Sequence, residues 1–327
     1  MALSAAFIDA HINHWEAQLQ SPFFPHRKHW PSRLFHHAPI ENAVAILQDG
    51  CLRSRADEHN CHPVDVAAPG VIDTRAHAHG RVRLYFRPKT PTQYSIEGIR
   101  KEGECRYGES THTPLIVMFC LDARRVLALP DIEFSDRNMQ VYGASVGNDE
   151  VAFSQVPFAK VFHEGSIGDD RSIIEHRCAE VMPSSPLELA DVLQAIFFRS
   201  SAERETLLHL LGNQATKWEP ICHVSDALKV FQKEYSFVDH LELSTEGLVF
   251  RLNPRRDRAS VHMRATITRM TEEVILDFEQ ISQAAKSPSG GNWIVRQKID
   301  QGRYTVRVWL EGHRAFEGLM TLEDELV

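Results

Sequence analysis

Residues 114–121 read Pro-Leu-Ile-Val-Met-Phe-Cys-Leu, a continuous apolar run with no polar alternation. A run of this kind suits a strand buried on both faces, so the chain has to supply cover on either side of a sheet. Other segments offer that cover. In residues 4–19, Phe7, Ile8, Ile12, Trp15 and Leu19 fall on one face at helical spacing, and Pro22, Pro25 and Pro31 then break the chain into a connector. A short strand is expected at Leu34–His36, followed by a helix that Pro39 opens and Gly50 ends. Residues 53–80 read as a long, His-rich polar loop, and loops of that length inside a domain are usually functional or mobile. Val82, Leu84 and Phe86 alternate with Arg83, Tyr85 and Arg87 as in a strand, and a short helix is expected at 91–98. Residues 131–146 read as loop and short strands, and His176–Met182 as a strand. Leu187–Phe198, Glu203–Leu211 and His223–Tyr235 read as helices. Beyond residue 236 the pattern changes to six expected strands: Phe237–Leu243, Leu248–Leu252, Val261–Ile267, Val274–Phe278, Trp293–Ile299 and Tyr304–Leu310. The expected organisation is a helical N-terminal extension (1–32), a domain over 33–200, a helical connector (201–235) and a β-rich C-terminal domain (236–327).

No apolar run approaches the ~20 residues that a membrane span needs. Met1–Ile12 lacks a basic segment followed by a long apolar stretch, so the cytoplasm is the expected location. The net charge of −8 argues against a protein that coats nucleic acid by bulk charge, although not against an enzyme with one basic face. The six cysteines form no Cys-x-x-Cys pair and no disulfide framework, and read as reduced thiols. Cys51, His59, Cys61 and His62 lie within twelve residues, but their spacing fits no standard structural zinc pattern, and no metal is expected.

Four stretches carry candidate chemistry: Leu34-Phe35-His36-His37-Ala38-Pro39-Ile40-Glu41-Asn42, Ile72-Asp73-Thr74-Arg75, Leu84-Tyr85-Phe86-Arg87-Pro88-Lys89-Thr90-Pro91, and Arg177-Cys178-Ala179-Glu180-Val181-Met182-Pro183. Each has a plain reading as well. Phe35 and His36 suit a core aromatic beside a satisfied histidine, Arg75 a surface position, and Tyr85 and Phe86 an ordinary core. Glu180 sits in an otherwise apolar strand, where a carboxylate either turns to solvent or is buried at a cost and used.

In their order, these stretches resemble the DarT family of DNA ADP-ribosyltransferases. The resemblance covers roughly residues 33–200 and rests on Leu34-Phe35-His36, Ile40-Glu41-Asn42 before a helix closed by Gly50, Arg75 in the following loop, Tyr85 to Pro91, a candidate Asp136-Arg137-Asn138 loop, and Ala179-Glu180. It departs from the family at Ala38, Lys89 and Thr92, where members commonly carry Thr, Arg and Met. The implied fold class is α+β: an ADP-ribosyltransferase-like split β-sheet with flanking helices, here with a β-rich C-terminal domain added.

The implied reaction moves ADP-ribose from NAD⁺ to a nucleobase of single-stranded DNA, since a stacked base cannot present its ring nitrogen without extrusion. By resemblance, Glu180 and Arg75 are catalytic. Glu180 orients the ribose or activates the attacking base, and Arg75 holds NAD⁺ and stabilises developing charge. His36 and Asn42 contact the nicotinamide side, and Tyr85 and Phe86 wall the pocket. Asp136, Arg137, Asn138, Arg87 and Lys89 lie toward the DNA, and the 53–80 loop closes over NAD⁺. Arg81, Arg83, Arg100 and Lys101 add local positive charge, and a second basic group comprises Arg251, Arg255, Arg256, Arg258, Arg264 and Arg269. Thymine and guanine are both open as targets, with a leaning to guanine because the departures suggest a distant branch. A DarG-like macrodomain antitoxin is the implied partner. The competing readings are the same chemistry on RNA or protein, a non-catalytic binding module, and a zinc protein built on Cys51, His59, Cys61 and His62.

Overall fold

In the computed structural model, which describes residues 2–66, 79–101, 103–105, 108, 111–139, 141–283 and 292–323, the apolar run forms the strand Ile116–Asp122, buried from Ile116 to Leu121. The chain divides into two compact units: Met1–Ser95, Val117–Phe197 and Ser225–Phe231 make the first, and Ile96–Ile116, Phe198–Val224 and Gln232–Val327 the second. Both units draw on distant stretches, because contacts group residues through space. They therefore cut across the consecutive segments drawn from the sequence.

The first unit carries strands β1 (Arg33–Pro39), β2 (Cys51–Leu52), β3 (Leu84–Tyr85), β4 (Ile116–Asp122), β5 (Glu133–Ser135), β6 (Val146–Gly147), β7 (Glu180–Met182), β8 (Leu187–Glu188) and β9 (Leu193–Phe198). Its main sheet runs in the order β9-β4-β1-β3-β7-β5-β6. Helix Ile40–Asp49 leaves β1 directly after Pro39, buries Ile40, Ala43 and Leu47, and ends at Gly50, whose φ of 78° is the left-handed turn that glycine adopts without strain. Helix Ala5–Gln18 starts at Ser4, whose hydroxyl accepts the Phe7 N–H. This helix lays Phe7 and His11 against Phe153, with His11 and Trp15 also against Phe158.

Two expected helices prove to be something else. Residues 187–198 form β8, one helical turn (Leu189–Val192) and β9. An apolar run of this length is ambiguous by period alone, and Ala195-Ile196-Phe197 pair with Phe119-Met118 and Cys120 of β4, where aromatic and branched side chains pack well. Residues 223–235 contain a short strand, β10 (Cys222–Val224), and then irregular chain with Lys229 and Lys233 at positive φ. Its backbone is satisfied by distant side chains. Trp30 Nε1 donates to the Leu228 carbonyl, Gln93 Nε2 to that of Val230, and the Glu97 carboxylate accepts the Gln232 and Lys233 N–H groups. The expected strand at 176–182 is shorter too, because His176 closes a helix, Ser172–His176, and only Glu180–Met182 pair.

The second unit is β-rich, as expected beyond residue 236. A three-stranded sheet joins β11 (Val238–Ser244), β12 (Gly247–Leu252) and β15 (Asn292–Arg296), in that order. A four-stranded sheet runs β14 (Val274–Gln283), β13 (Ser260–Arg269), β16 (Gly302–Leu310), β17 (His313–Leu322). Strand β17 is absent from the sequence reading. Alternation sends Leu248, Phe250, Ile267, Val306, Val308 and Leu310 inward to one apolar core. Gly247 is required at the β11–β12 turn: its φ is 135°, and a Cβ there would come within 2.1 Å of the Val295 carbonyl oxygen. Helix Ser201–Leu211, capped by Ser200, adds Ala202 to the same core.

Candidate active site

The ladder of the first unit places Phe35 of β1 opposite Tyr85 of β3, and Tyr85 opposite Glu180 of β7. Directly paired residues share a face of the sheet, so Tyr85 and Glu180 stand side by side. Glu180 is 1% exposed, which answers the question its apolar surroundings pose: the carboxylate is buried. A buried carboxylate needs a partner. Arg83, two residues before Tyr85 on the same side of the chain, brings Nη1 to 3.5 Å from Glu180 Oε2. Its Nη2 is also buried and has no hydrogen-bond partner among the described residues. The Glu180 N–H donates to Ser135 Oγ at 3.1 Å, and the Ser135 hydroxyl donates to the Arg137 carbonyl at 2.8 Å, so one serine ties the Glu180 backbone to the neighbouring loop.

Of the two adjacent histidines, it is His37 whose ring stacks on Tyr85, with centroids 5.4 Å apart and planes 9° from parallel. His36 turns to Phe119 and donates through Nδ1 to the Arg83 carbonyl at 2.9 Å, fixing the backbone of the arginine that faces Glu180. Burial pushes the His37 pKa down to about 3, with His36 adding to the effect. His36 is lowered as well, mainly by burial, with its bond to the Arg83 carbonyl acting the other way. Both rings are therefore neutral near pH 7.

The remaining expected site residues separate into groups. Asn42 is committed to the chain itself: its Nδ2 donates to the Val64 carbonyl and its Oδ1 accepts the Val64 N–H, clipping the long loop at Val64 to helix Ile40–Asp49. Phe86 is 3% exposed and packs edge-on against Phe153 and Phe158, a core position. Asp136 accepts the Ser145 N–H and Arg137 Nε, and the Asn138 N–H donates to the Glu175 carbonyl. His176 Nδ1 donates to the Asp136 carbonyl, which straps the 136–138 loop to the helix preceding Glu180. Arg75 lies outside the described residues, as does most of the loop around it.

Arg87 is a correction. It is 2% exposed, its guanidinium lies over Trp30 at 4.7 Å, and it donates to the carbonyls of Pro88, Val161 and His163. Those bonds draw the side chain inward and leave no face for DNA. Lys89 pairs with Glu164 at 3.2 Å. The basic groups read from sequence are likewise largely engaged: Arg81 with Glu133, Arg251 with Asp239, Arg255 with Glu104 and Asp257, Arg256 with Glu234, Arg264 with Asp277, and Arg269 with Glu273 and Asp300. The zinc reading finds no support, since Cys51 is buried, Cys61 is exposed, and no described group of His, Cys, Asp or Glu has the arrangement to hold a metal.

A buried carboxylate, a guanidinium with a buried donor to spare, and a flat pair of neutral rings suit a substrate that offers ribose hydroxyls and a planar cationic ring, as NAD⁺ does. The expectation named neither Arg83 in this role nor Ser135 or His37. The alternation of Arg83 with Tyr85 is the one signal in the sequence that points to it.

Comparison with known proteins places the chain in a family. The family model described as ssDNA thymidine ADP-ribosyltransferase, DarT, matches residues 35–230. The structure of Thermus sp. 2.9 DarT in complex with ADP-ribosylated ssDNA is similar over 62% of this chain and 96% of that one, with 20% identity and a TM-score of 0.50, and shares the fold. Thermus sp. 2.9 DarT in complex with NAD⁺ matches over 62% and 98%, at 18% identity and a TM-score of 0.48. Thermosipho africanus DarTG in complex with ADP-ribose matches over 65% and 54%, at 14% identity and a TM-score of 0.46. Among curated proteins, none matches the chain. With the family model covering more than half of its length, the chain belongs to the DarT family of NAD⁺-dependent ADP-ribosyltransferases that act on thymidine in single-stranded DNA.

Proposed function

We propose that this chain transfers ADP-ribose from NAD⁺ to thymine bases of single-stranded DNA, with Glu180 as the catalytic carboxylate. The observation that carries the reading is the burial of Glu180 beside Arg83 and Tyr85. The leaning to guanine is dropped, because the family is described by thymidine. NAD⁺ supplies an ADP-ribosyl group whose C1′ carries a positively charged nicotinamide leaving group. Glu180 then has two tasks. Its negative charge favours an oxocarbenium-like ribose, as carboxylates do in glycoside cleavage. The thymine ring nitrogen not joined to the sugar bears a proton, and the same carboxylate is placed to accept it as the new bond to C1′ forms. Arg83 holds the Glu180 carboxylate in one orientation, and Ser135 holds its backbone. Tyr85, stacked on His37, offers a flat wall. Arg75 and the 136–138 loop keep the roles of NAD⁺ holder and DNA-side loop that the family resemblance implies. A macrodomain antitoxin of the DarG type is the partner that this activity calls for, and the cytoplasm is where both would meet DNA. Among the described residues no helix is long and apolar enough to cross a membrane.

The test compares wild type with Glu180→Gln on NAD⁺ and single-stranded oligonucleotides of defined base content, read by intact mass. The expected result is a gain of one ADP-ribose on thymine-containing strands only, lost in the variant. Modification of RNA or protein instead, with DNA untouched, contradicts the assignment of substrate.

A further inference from the structure

The side chains around Glu164 carry more positive charge than their own structure uses. Glu164 accepts from Lys89 at 3.2 Å and from His26 at 2.5 Å. Arg177, whose Nη2 lies 2.7 Å from His163 Nδ1 and donates to the Gly165 carbonyl at 3.0 Å, and Arg27 lie within the electrostatic reach of the same carboxylate. Buried Arg87 adds a further cation behind them, acted on by both Arg177 and Arg27. Among the described residues, Glu164 is the carboxylate set directly against these charges, while nearby Asp170 is held by Lys160 and Ser172. The Arg27 guanidinium makes no hydrogen bond among the described residues and only lies against Phe24 at 5.9 Å. The Nε atoms of Arg27 and Arg177 are both buried without a hydrogen-bond partner among the described residues. Desolvation lowers the pKa of both arginines, and Glu164 counteracts it only in part. Half-buried guanidinium donors left unused beside like charges are costly unless an anion completes them.

The chain itself places this group. Arg177 precedes Glu180 by three residues and Lys89 follows Tyr85 by four, so the backbones of both lie within roughly 15 Å of the Tyr85–Glu180 pair even at full extension.

We propose that Arg27, Arg177 and Lys89, with His26 and His163 beside them, form a phosphate-binding site that grips the backbone of the DNA strand next to the nucleotide being modified. The proposal rests on the reading of single-stranded DNA as substrate. The other source of the same chemistry is the pyrophosphate of NAD⁺. Arg27 comes from the N-terminal extension, so the site gives that extension a part in substrate binding.

Arg27→Gln is the leading variant, because its guanidinium holds no hydrogen bond among the described residues, and Arg177→Gln is the second. Binding of a fluorescent oligothymidylate is measured by anisotropy across a salt series, alongside the KM for NAD⁺ with the oligonucleotide held saturating. The expected result for Arg27→Gln is a roughly tenfold weaker oligonucleotide Kd, a salt slope smaller by about 0.7, and an unchanged KM for NAD⁺. A tenfold rise in the KM for NAD⁺ with the oligonucleotide Kd unchanged overturns the DNA assignment and gives the site to the dinucleotide. If both variants, shown to be folded by thermal melting, keep wild-type values of both, there is no phosphate site. Failure of the substrate reading looks different: the wild-type protein itself would neither hold nor modify the oligonucleotide.

Discussion

At the scale of single residues, the chemistry depends on Glu180 being held rather than merely present. Glu180→Gln keeps shape and burial but removes the charge and the basic oxygen, and turnover is expected to fall about 10³-fold with the melting temperature little changed. Steady-state kinetics with circular dichroism as the control checks both parts. Arg83→Gln is expected to cost about 10²-fold in kcat, since the carboxylate loses its orienting cation. Arg87 behaves differently. Burial, with Arg177 beside it, pushes its pKa down to about 9, and its bonds go to backbone carbonyls. Arg87→Met leaves those carbonyls unpaired, and a loss of about 1–3 kcal/mol in stability by urea unfolding is expected, with the oligonucleotide Kd unchanged. A large drop in DNA affinity without loss of stability would return Arg87 to the DNA surface. The sequence pattern marks Glu180 as anomalous but treats Arg83, Arg87 and Lys89 alike as basic residues. Only the fold separates an arginine facing the carboxylate from one spent on the backbone.

Among the elements, the stretches that carry their own punctuation were legible. Pro39 and Gly50 bracket the helix Ile40–Asp49, and Gly212 stops the helix Ser201–Leu211. Clean alternation marks β13 and β16. Segments whose backbone is satisfied by distant side chains were not legible. Residues 228–233 look helical by spacing, yet Trp30, Gln93 and Glu97 take their hydrogen bonds. Strand β17 escaped notice because it interrupts its alternation with Gly318 and polar residues. The N-terminal helix makes a prediction of its own. Burial of His11 against Phe153 and Phe158 pushes its pKa down to about 4. As pH falls from about 6.5, the unfolded chain takes up a proton that the folded chain refuses until about 4. Stability is therefore full above that window, declines through it and levels off beneath it, with a loss of about 2 kcal/mol after allowance for partial exposure. Urea midpoints at stepped pH should show this decline, and His11→Phe should flatten it. A variant that keeps the wild-type pH profile would remove His11 from the account.

On the scale of the whole molecule, the stretch that defines the family, 35–230, contributes to both compact units. The C-terminal strands are thus structural partners of family residues. Helix Ser201–Leu211 packs on β11 and β17, the Glu317 N–H donates to Thr206 Oγ1, and Ser200 Oγ donates to the Val238 carbonyl. A chain ending at residue 236 loses that cover and exposes Ala202 and Leu207, along with the buried Arg199–Glu203 pair. Such a truncation is expected to be insoluble or to melt without a cooperative transition, and a soluble, cooperatively melting product would show the strands to be dispensable. The central claim is the reaction itself, and intact-mass analysis of a thymine-containing single-stranded oligonucleotide incubated with the full-length protein and NAD⁺ tests it most directly. The account predicts one ADP-ribose added to thymine-containing strands, absent from strands lacking thymine and absent with Glu180→Gln. NAD⁺ left intact and DNA unmodified by a folded wild-type protein would contradict it.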